Sequence, residues 1–215
     1  LVQKINPSDI IFSHGFRKSR MTLIVKRATG LFLATIGLFL ALPLLVVIAA
    51  AIKLDSKGPV FYCQNRCGAK GRVFKVFKFR SMRDKAEAQS GPVWAKTDDE
   101  RITRVGRILR NCRLDELPQL WNVLKGDMSF VGPRPERPEF VEKLGRQIPY
   151  YLERHAVKPG ITGWAQVCYR YGASMEDALE KLEYDLFYVK NMSFALDMLI
   201  ILKTLKIVLL QDGAR

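Results

Sequence analysis

The chain has 215 residues and carries 35 Lys and Arg against 21 Asp and Glu, a formal net charge of +14. That length suits one ordinary domain with a core, or a small domain with membrane-associated helices, and leaves no room for two full domains. The charge calls for an anionic partner, whether nucleic acid, an anionic membrane surface or a phosphorylated substrate, and its four scattered cysteines, Cys63, Cys67, Cys112 and Cys168, suggest neither a disulfide framework nor a zinc site.

Residues 1–25 start at Leu1, contain no signal-peptide pattern, and read as a lead-in from a longer protein. Residues 31–52, LFLATIGLFLALPLLVVIAAAI, contain no charge. As a helix they would reach about 33 Å, enough for a hydrocarbon core of roughly 30 Å. Pro43 lies near the middle, removes one backbone donor and strips the carbonyl of Phe39 of its helical partner, so a helix break is expected there. Basic residues flank both sides: Arg17, Lys18, Arg20, Lys26 and Arg27 before, Lys53, Lys57, Arg66 and Lys70 after. A balanced positive flank fits a segment that enters and leaves the same leaflet, with a kinked single span as the alternative. Residues 26–57 are therefore read as a re-entrant membrane hairpin, and 58–215 as a cytoplasmic catalytic domain.

Two strands, near Val60 to Tyr62 and from Val73 to Phe79, are expected to pair through the turn at 68–71. A polar loop follows over 83–99. ERITRVGRILRNC then spaces Ile102, Val105, Ile108, Leu109 and Cys112 as one helical face, leaving Arg101, Arg104, Arg107 and Arg110 on another. The next helix runs from about Leu117 to Leu124, followed by a bend at Pro133, Pro135 and Pro138 and a helix over 139–144. Ser174 caps a helix ending near Asn191, and the last apolar segment, interrupted by Asp197, Lys203 and Lys206, reads as amphipathic, lying on a membrane or packed on the domain. The fold class is α+β and mainly helical: a re-entrant helix-break-helix, a short β-hairpin and amphipathic interfacial helices.

Asp115 and Glu116 stand where one helix ends and another begins, because Pro118 is tolerated only in a first turn. Helix N-termini stabilise anions, so plain capping explains such a pair. Four arginine motifs change its meaning: Lys78-Phe79-Arg80-Ser81-Met82, Arg110, Gly132-Pro133-Arg134-Pro135, and Tyr169-Arg170-Tyr171. Prolines on both sides of Arg134 fix its backbone, and a rigid guanidinium fork suits bidentate phosphate recognition. Together these residues suit an anionic substrate whose phosphates approach the carboxylates with a divalent metal between them.

The blocks GPVFYCQNRCGAKGRVFKVFKFRSM, DERITRVGRILRNCRLDELPQLWNVLKGDMSFVGPRP and RHAVKPGITGWAQV resemble, in that order, the bacterial sugar transferase family of monotopic phosphoglycosyl transferases. PERPEF, WAKTDDERITRVG and YRYGAS are similar to its exopolysaccharide-initiating branch. One departure is that Lys26-Arg27-Ala28-Thr29 leads into Gly30, where the family usually carries an aspartate a few residues after the basic pair. The resemblance implies transfer of a sugar-1-phosphate from a UDP-sugar to polyprenyl (undecaprenyl) phosphate with release of UMP, at the cytoplasmic face of the bacterial inner membrane. It implies Asp115 as nucleophile in a ping-pong scheme through a covalent phosphosugar-enzyme, and Glu116 as the second acid, a metal ligand, a base or both. It also implies Mg²⁺ held at Asp115 and Glu116, phosphate or nucleotide contacts at Arg80, Arg110, Arg134 and Arg170, a membrane helix broken at Pro43, and membrane lipid as a partner. The sugar and the division of labour within the dyad are not read from the sequence, and a homodimer is left open. A membrane-tethered basic adaptor is the alternative, and nucleic-acid binding is disfavoured because no recognition motif is present.

Overall fold

A computed structural model describes residues 19–84, 86, 99–169, 172 and 174–210. It is mostly helical, as expected, and is organised around one long helix, α1 (Arg20–Asp55), which starts where the Oγ of Ser19 accepts from the backbone N–H of Thr22. The expected break at Pro43 is not present: α1 is a single helix of 36 residues that continues through the proline. Losing the one bond that Pro43 cannot donate is tolerated because packing on both sides holds the helix to the domain.

On its N-terminal side, Ala34 packs against Val76, Leu120, Val123 and Met128. On its C-terminal side, Ile48 and Ile52 pack against Phe79 and Leu109. Polar ties close both ends. Lys26 Nζ donates to Tyr188 Oη and to Asp197 Oδ2, Arg27 donates to the carbonyls of Val123 and Leu124, and Asp55 accepts from the Val105 amide. Lys26 thus has an acidic partner from the far end of the chain, although the aspartate usual after the basic pair is missing. The outward side of α1 leaves Phe32, Phe39, Leu40, Val46 and Val47 exposed.

The hairpin forms with longer strands than expected on the first side. β1 (Phe61–Cys67) pairs antiparallel with β2 (Val73–Phe79), in a register setting Phe61 opposite Phe79 and Cys67 opposite Val73. Gly71, at φ 72°, completes the tight turn between them, where a left-handed residue is needed. β2 buries two side chains: Val76 packs with Ala34 and Phe79 with Ile48 and Ile52 of α1, and the buried Asn122 of α3 (Gln119–Lys125) accepts from the Phe77 amide and donates to the Lys75 carbonyl.

α2 (Arg104–Asn111) is capped by Thr103 and presents part of the expected face: Val105 and Leu109 pack with Ile48, Ile52 and Phe79, while Arg104 and Arg107 are exposed on the other side. Leu109 and Gly106 are its buried residues, Ile108 and Cys112 are exposed, and Ile102 lies before the helix in a bridge to Met82. Contact across Gly106 decides this, since a Cβ there would sit 2.0 Å from the Ser81 carbonyl oxygen.

A second, parallel pair that the sequence reading lacks joins β3 (Ser129–Val131) to β4 (Gly160–Thr162). α4 (Pro138–Gln147) begins with proline in its first turn, and a 3₁₀ segment at Tyr151–Ala156 follows. Past β4, α5 (Trp164–Cys168) leads to α6 (Met175–Asn191), whose start carries a capping box in which Ser174 and Asp177 bond each other's backbone. α7 (Phe194–Leu210) packs Ile200 into a core with Val131, Tyr188 and Met192, and leaves Phe194, Leu202 and Leu205 exposed.

Candidate active site

The carboxylate pair sits not at a helix N-cap but in a short 3₁₀ turn, Leu114–Glu116, wedged between α2 and α3. Arg113 enters this turn in the left-handed region, at φ 55°, and Pro118 occupies the N-cap of α3. This reversal turns the two neighbouring carboxylates into different surroundings.

Glu116 is gripped. Arg134 reaches it with both terminal nitrogens, Nη2 to Oε1 at 2.5 Å and Nη1 to Oε2 at 3.2 Å, and Lys78 Nζ donates to Oε1 at 2.6 Å. Burial alone would raise its pKa, but Arg134 and Lys78 prevail and hold the carboxyl well below the usual glutamate range. Asp115 is 8% exposed, and among the described residues no side chain hydrogen-bonds its carboxylate. Burial pushes its pKa up, against the pull of Lys78, Arg110 and Arg134, with the Glu116 charge adding to the rise. A glutamate whose ionised form is favoured by its cations thus stands beside a poorly solvated aspartate, which is the state of a carboxylate available for attack or ligation.

The arginines divide between two places. Arg134 is at the dyad. Arg110 is close enough to bear on Asp115 electrostatically, and its Nε donates to Ser81 Oγ at 3.1 Å. Arg80 is directed elsewhere: 4% exposed, it donates Nη1 to the Lys57 carbonyl and Nη2 to the Ser56 carbonyl and Oγ, clasping the segment that leaves α1. Arg170 lies outside the described residues. Sequence reasoning missed Lys78 as a site residue, although it stands in the same motif as Arg80. The alternation of β2 was the available signal, because it puts Lys78 on the opposite side of the strand from Phe79.

Among the described residues there is no cluster of three His, Cys, Asp or Glu side chains for a metal ion. Mg²⁺ does not require one, since it commonly binds one or two carboxylates together with substrate phosphates and water. The carboxylate of Asp115, which no side chain among the described residues hydrogen-bonds, fits that mode, whereas both oxygens of Glu116 already accept from cations.

The model of one family, described as bacterial sugar transferase, matches residues 21–211, nearly the whole chain. The chain belongs to the bacterial sugar transferase family. Within it, the transferase is 49% identical over 191 residues to the UDP-N-acetylgalactosamine-undecaprenyl-phosphate N-acetylgalactosaminephosphotransferase of Aeromonas hydrophila, an alignment covering 89% of this chain and 45% of the relative. It is 42% identical over 211 residues to the UDP-glucose:undecaprenyl-phosphate glucose-1-phosphate transferase of Escherichia coli, covering 94% and 44%. With the exopolysaccharide production protein PSS of Rhizobium leguminosarum it shares 43% identity over 192 residues, 86% of this chain and 94% of that one. The transferase therefore spans under half the length of the first two relatives and nearly all of the third.

Proposed function

We propose that this sugar transferase moves a sugar-1-phosphate from a UDP-sugar to undecaprenyl phosphate, an initiating membrane step of exopolysaccharide or glycan synthesis. The observation that carries the reading is the asymmetric dyad: Asp115 buried and without a side-chain hydrogen bond among the described residues, beside Glu116 fixed by Arg134 and Lys78, in a chain of this family.

An oxygen of the Asp115 carboxylate attacks the phosphorus that bears the sugar, the bond from that phosphorus to the bridging oxygen breaks, and UMP leaves with the bond's electron pair. A phosphate oxygen of undecaprenyl phosphate then attacks the same phosphorus and expels Asp115 as carboxylate, giving the diphosphate-linked sugar. Arg134, Lys78 and Arg110 surround the reacting carboxylate with positive charge, which offsets its repulsion from an incoming diphosphate. Glu116 holds two of these cations in place. Mg²⁺, which Asp115 would hold, would supply charge neutralisation for the departing UMP.

The way α1 is held supports a membrane disposition with both of its ends on one face. At about 1.5 Å per residue its 36 residues extend roughly 54 Å. Yet Lys26 and Arg27 near one end and Asp55 at the other are tied to the same domain. A helix crossing the bilayer would need that domain on both sides. The reading is therefore that both ends of α1 stay on the cytoplasmic face while the exposed side around Phe39 and Leu40, with the apolar side of α7, enters one leaflet. The dyad would then stand at headgroup depth, where a water-soluble nucleotide sugar meets a lipid phosphate.

The test is UMP release from a panel of UDP-sugars in the presence of undecaprenyl phosphate. Release with at least one donor, abolished by Asp115→Asn, is expected; release that survives Asp115→Asn would overturn the assignment.

A further inference from the structure

The Gly132-Pro133-Arg134-Pro135 bend is fixed along its whole backbone. The Pro133 carbonyl accepts from the Gly160 amide at 3.0 Å, the Arg134 carbonyl from Arg154 Nη2 at 2.9 Å, the Pro135 carbonyl from Arg66 Nη1 at 3.0 Å, and the Glu136 carbonyl from the Cys67 amide at 2.9 Å. One of these donors is different in kind. Arg154, 6% exposed, also donates Nη2 to Asp185 Oδ2 at 2.6 Å and Nη1 to Tyr151 Oη at 2.7 Å, and Asp185 is itself 1% exposed on α6.

A buried ion pair of this kind is a weak source of net stability, because removing two charges from water offsets most of their attraction. What it provides is direction. The guanidinium plane is set by Asp185 and Tyr151, and the same Nη2 that binds Asp185 turns its second hydrogen to the backbone carbonyl of the residue whose side chain grips Glu116. We infer that Arg154, oriented by Asp185, is a positioning residue that sets Arg134 over the dyad, so that α6 takes part in building the active site. The chain of contacts runs from Asp185 to Arg154 to the Arg134 carbonyl, and through the Arg134 side chain to Glu116. This inference rests on the transferase activity proposed above.

A double-mutant cycle on the full chain tests it, with kcat/KM for UMP release as readout and melting temperature recorded for every variant. Arg154→Lys removes the planar fork, so no side chain joins Tyr151 and Asp185 to the Arg134 carbonyl in one fixed plane. It is expected to lower kcat/KM by about a hundredfold, the scale of a 1 Å misplacement of a catalytic group. In an Arg134→Lys background the same change should lower it less than about threefold further, because the residue it acts through is already altered. Asp185→Asn, which keeps the volume and one acceptor, should repeat this pattern and serves if Arg154→Lys folds poorly. Logarithmic effects that simply add would overturn the inference, as would a variant that loses melting temperature while its folded fraction keeps wild-type kcat/KM. A wild-type chain that releases no UMP from any donor would instead overturn the activity on which the inference rests, a result separable from an additive cycle in active protein.

Discussion

Neutralising the two adjacent carboxylates should move stability in opposite directions. Glu116→Gln removes the negative partner of Lys78 and Arg134, whose side chains retain 18% and 27% exposure against 13% for the glutamate. Breaking a buried ion pair by deleting one partner costs about 3–5 kcal/mol. The residual exposure of both cations places this case at the low end, about 3 kcal/mol. For a chain of this size that lowers the melting temperature by roughly 6–12 °C. Asp115→Asn should raise it, because burial disfavours the ionised aspartate despite the cations nearby. The pH dependence is opposite too. Glu116, with its folded-state pKa depressed, contributes stability present above about 4.5, its ordinary value, and lost as pH falls through the folded value. Asp115, with its pKa raised, contributes stability present below about 3.8 and lost as pH rises through the folded value, so the gain from Asp115→Asn is largest at neutral pH. The assay is thermal unfolding of the detergent-solubilised chain at pH 7 and pH 4. Two variants that fall alike, or a Glu116→Gln variant within about 2 °C of wild type at pH 7, would refute the asymmetry of the dyad.

Other expectations can be checked with the same material. Burial, with the Arg154 charge beside it, lowers the His155 pKa to about 4, so the unfolded chain binds the extra proton first. Stability should fall as pH drops from 6.5 towards 4, by up to about 3 kcal/mol; His155→Gln should flatten the pH dependence of chemical denaturation in that window, and an unchanged slope would refute the cause. Gly106→Ala should lower stability by about 2 kcal/mol, because the new Cβ meets the Ser81 carbonyl oxygen, a backbone atom, at 2.0 Å; a melting temperature equal to wild type would mean that α2 does not approach Ser81 so closely. Cysteines placed at Ser13 and Ser56, with native thiols removed, should both label from the cytoplasmic side, and labelling from opposite sides would establish a single span.

Much of the site was legible because its signals are local. Arg134 between two prolines is a short motif with a fixed backbone, and Asp115-Glu116 ahead of Pro118 was recognisable as a pair, although it stands in a 3₁₀ turn rather than at the expected N-cap. The elements bounded by strong caps, such as α6 after Ser174, were legible for the same reason. Long-range partners were not. Nothing in the sequence near Arg154 shows that Asp185, 31 positions later, will meet it, or that Arg80 will turn to Ser56 and Lys57 rather than to the dyad. The strands β3 and β4 are three residues each, too short for alternation to show. The face of α2 was read only in part: Val105 and Leu109 pack inward, but Ile108 does not, because periodicity ranks apolar side chains while the closest contact there is made by a glycine. At Pro43 the local rule pointed to a break, and packing of Ala34 on one side and Ile48 on the other outweighed it.

The central claim is that Asp115 takes up the phosphosugar. Intact-protein mass spectrometry after mixing the chain with a UDP-sugar and Mg²⁺, without any lipid acceptor, tests it most directly. The account predicts a mass increase equal to one sugar phosphate, mapped to Asp115, missing in Asp115→Asn and discharged when undecaprenyl phosphate is added. Lipid-dependent UMP release by a protein that never gains that mass, under conditions that trap fast intermediates, would contradict it.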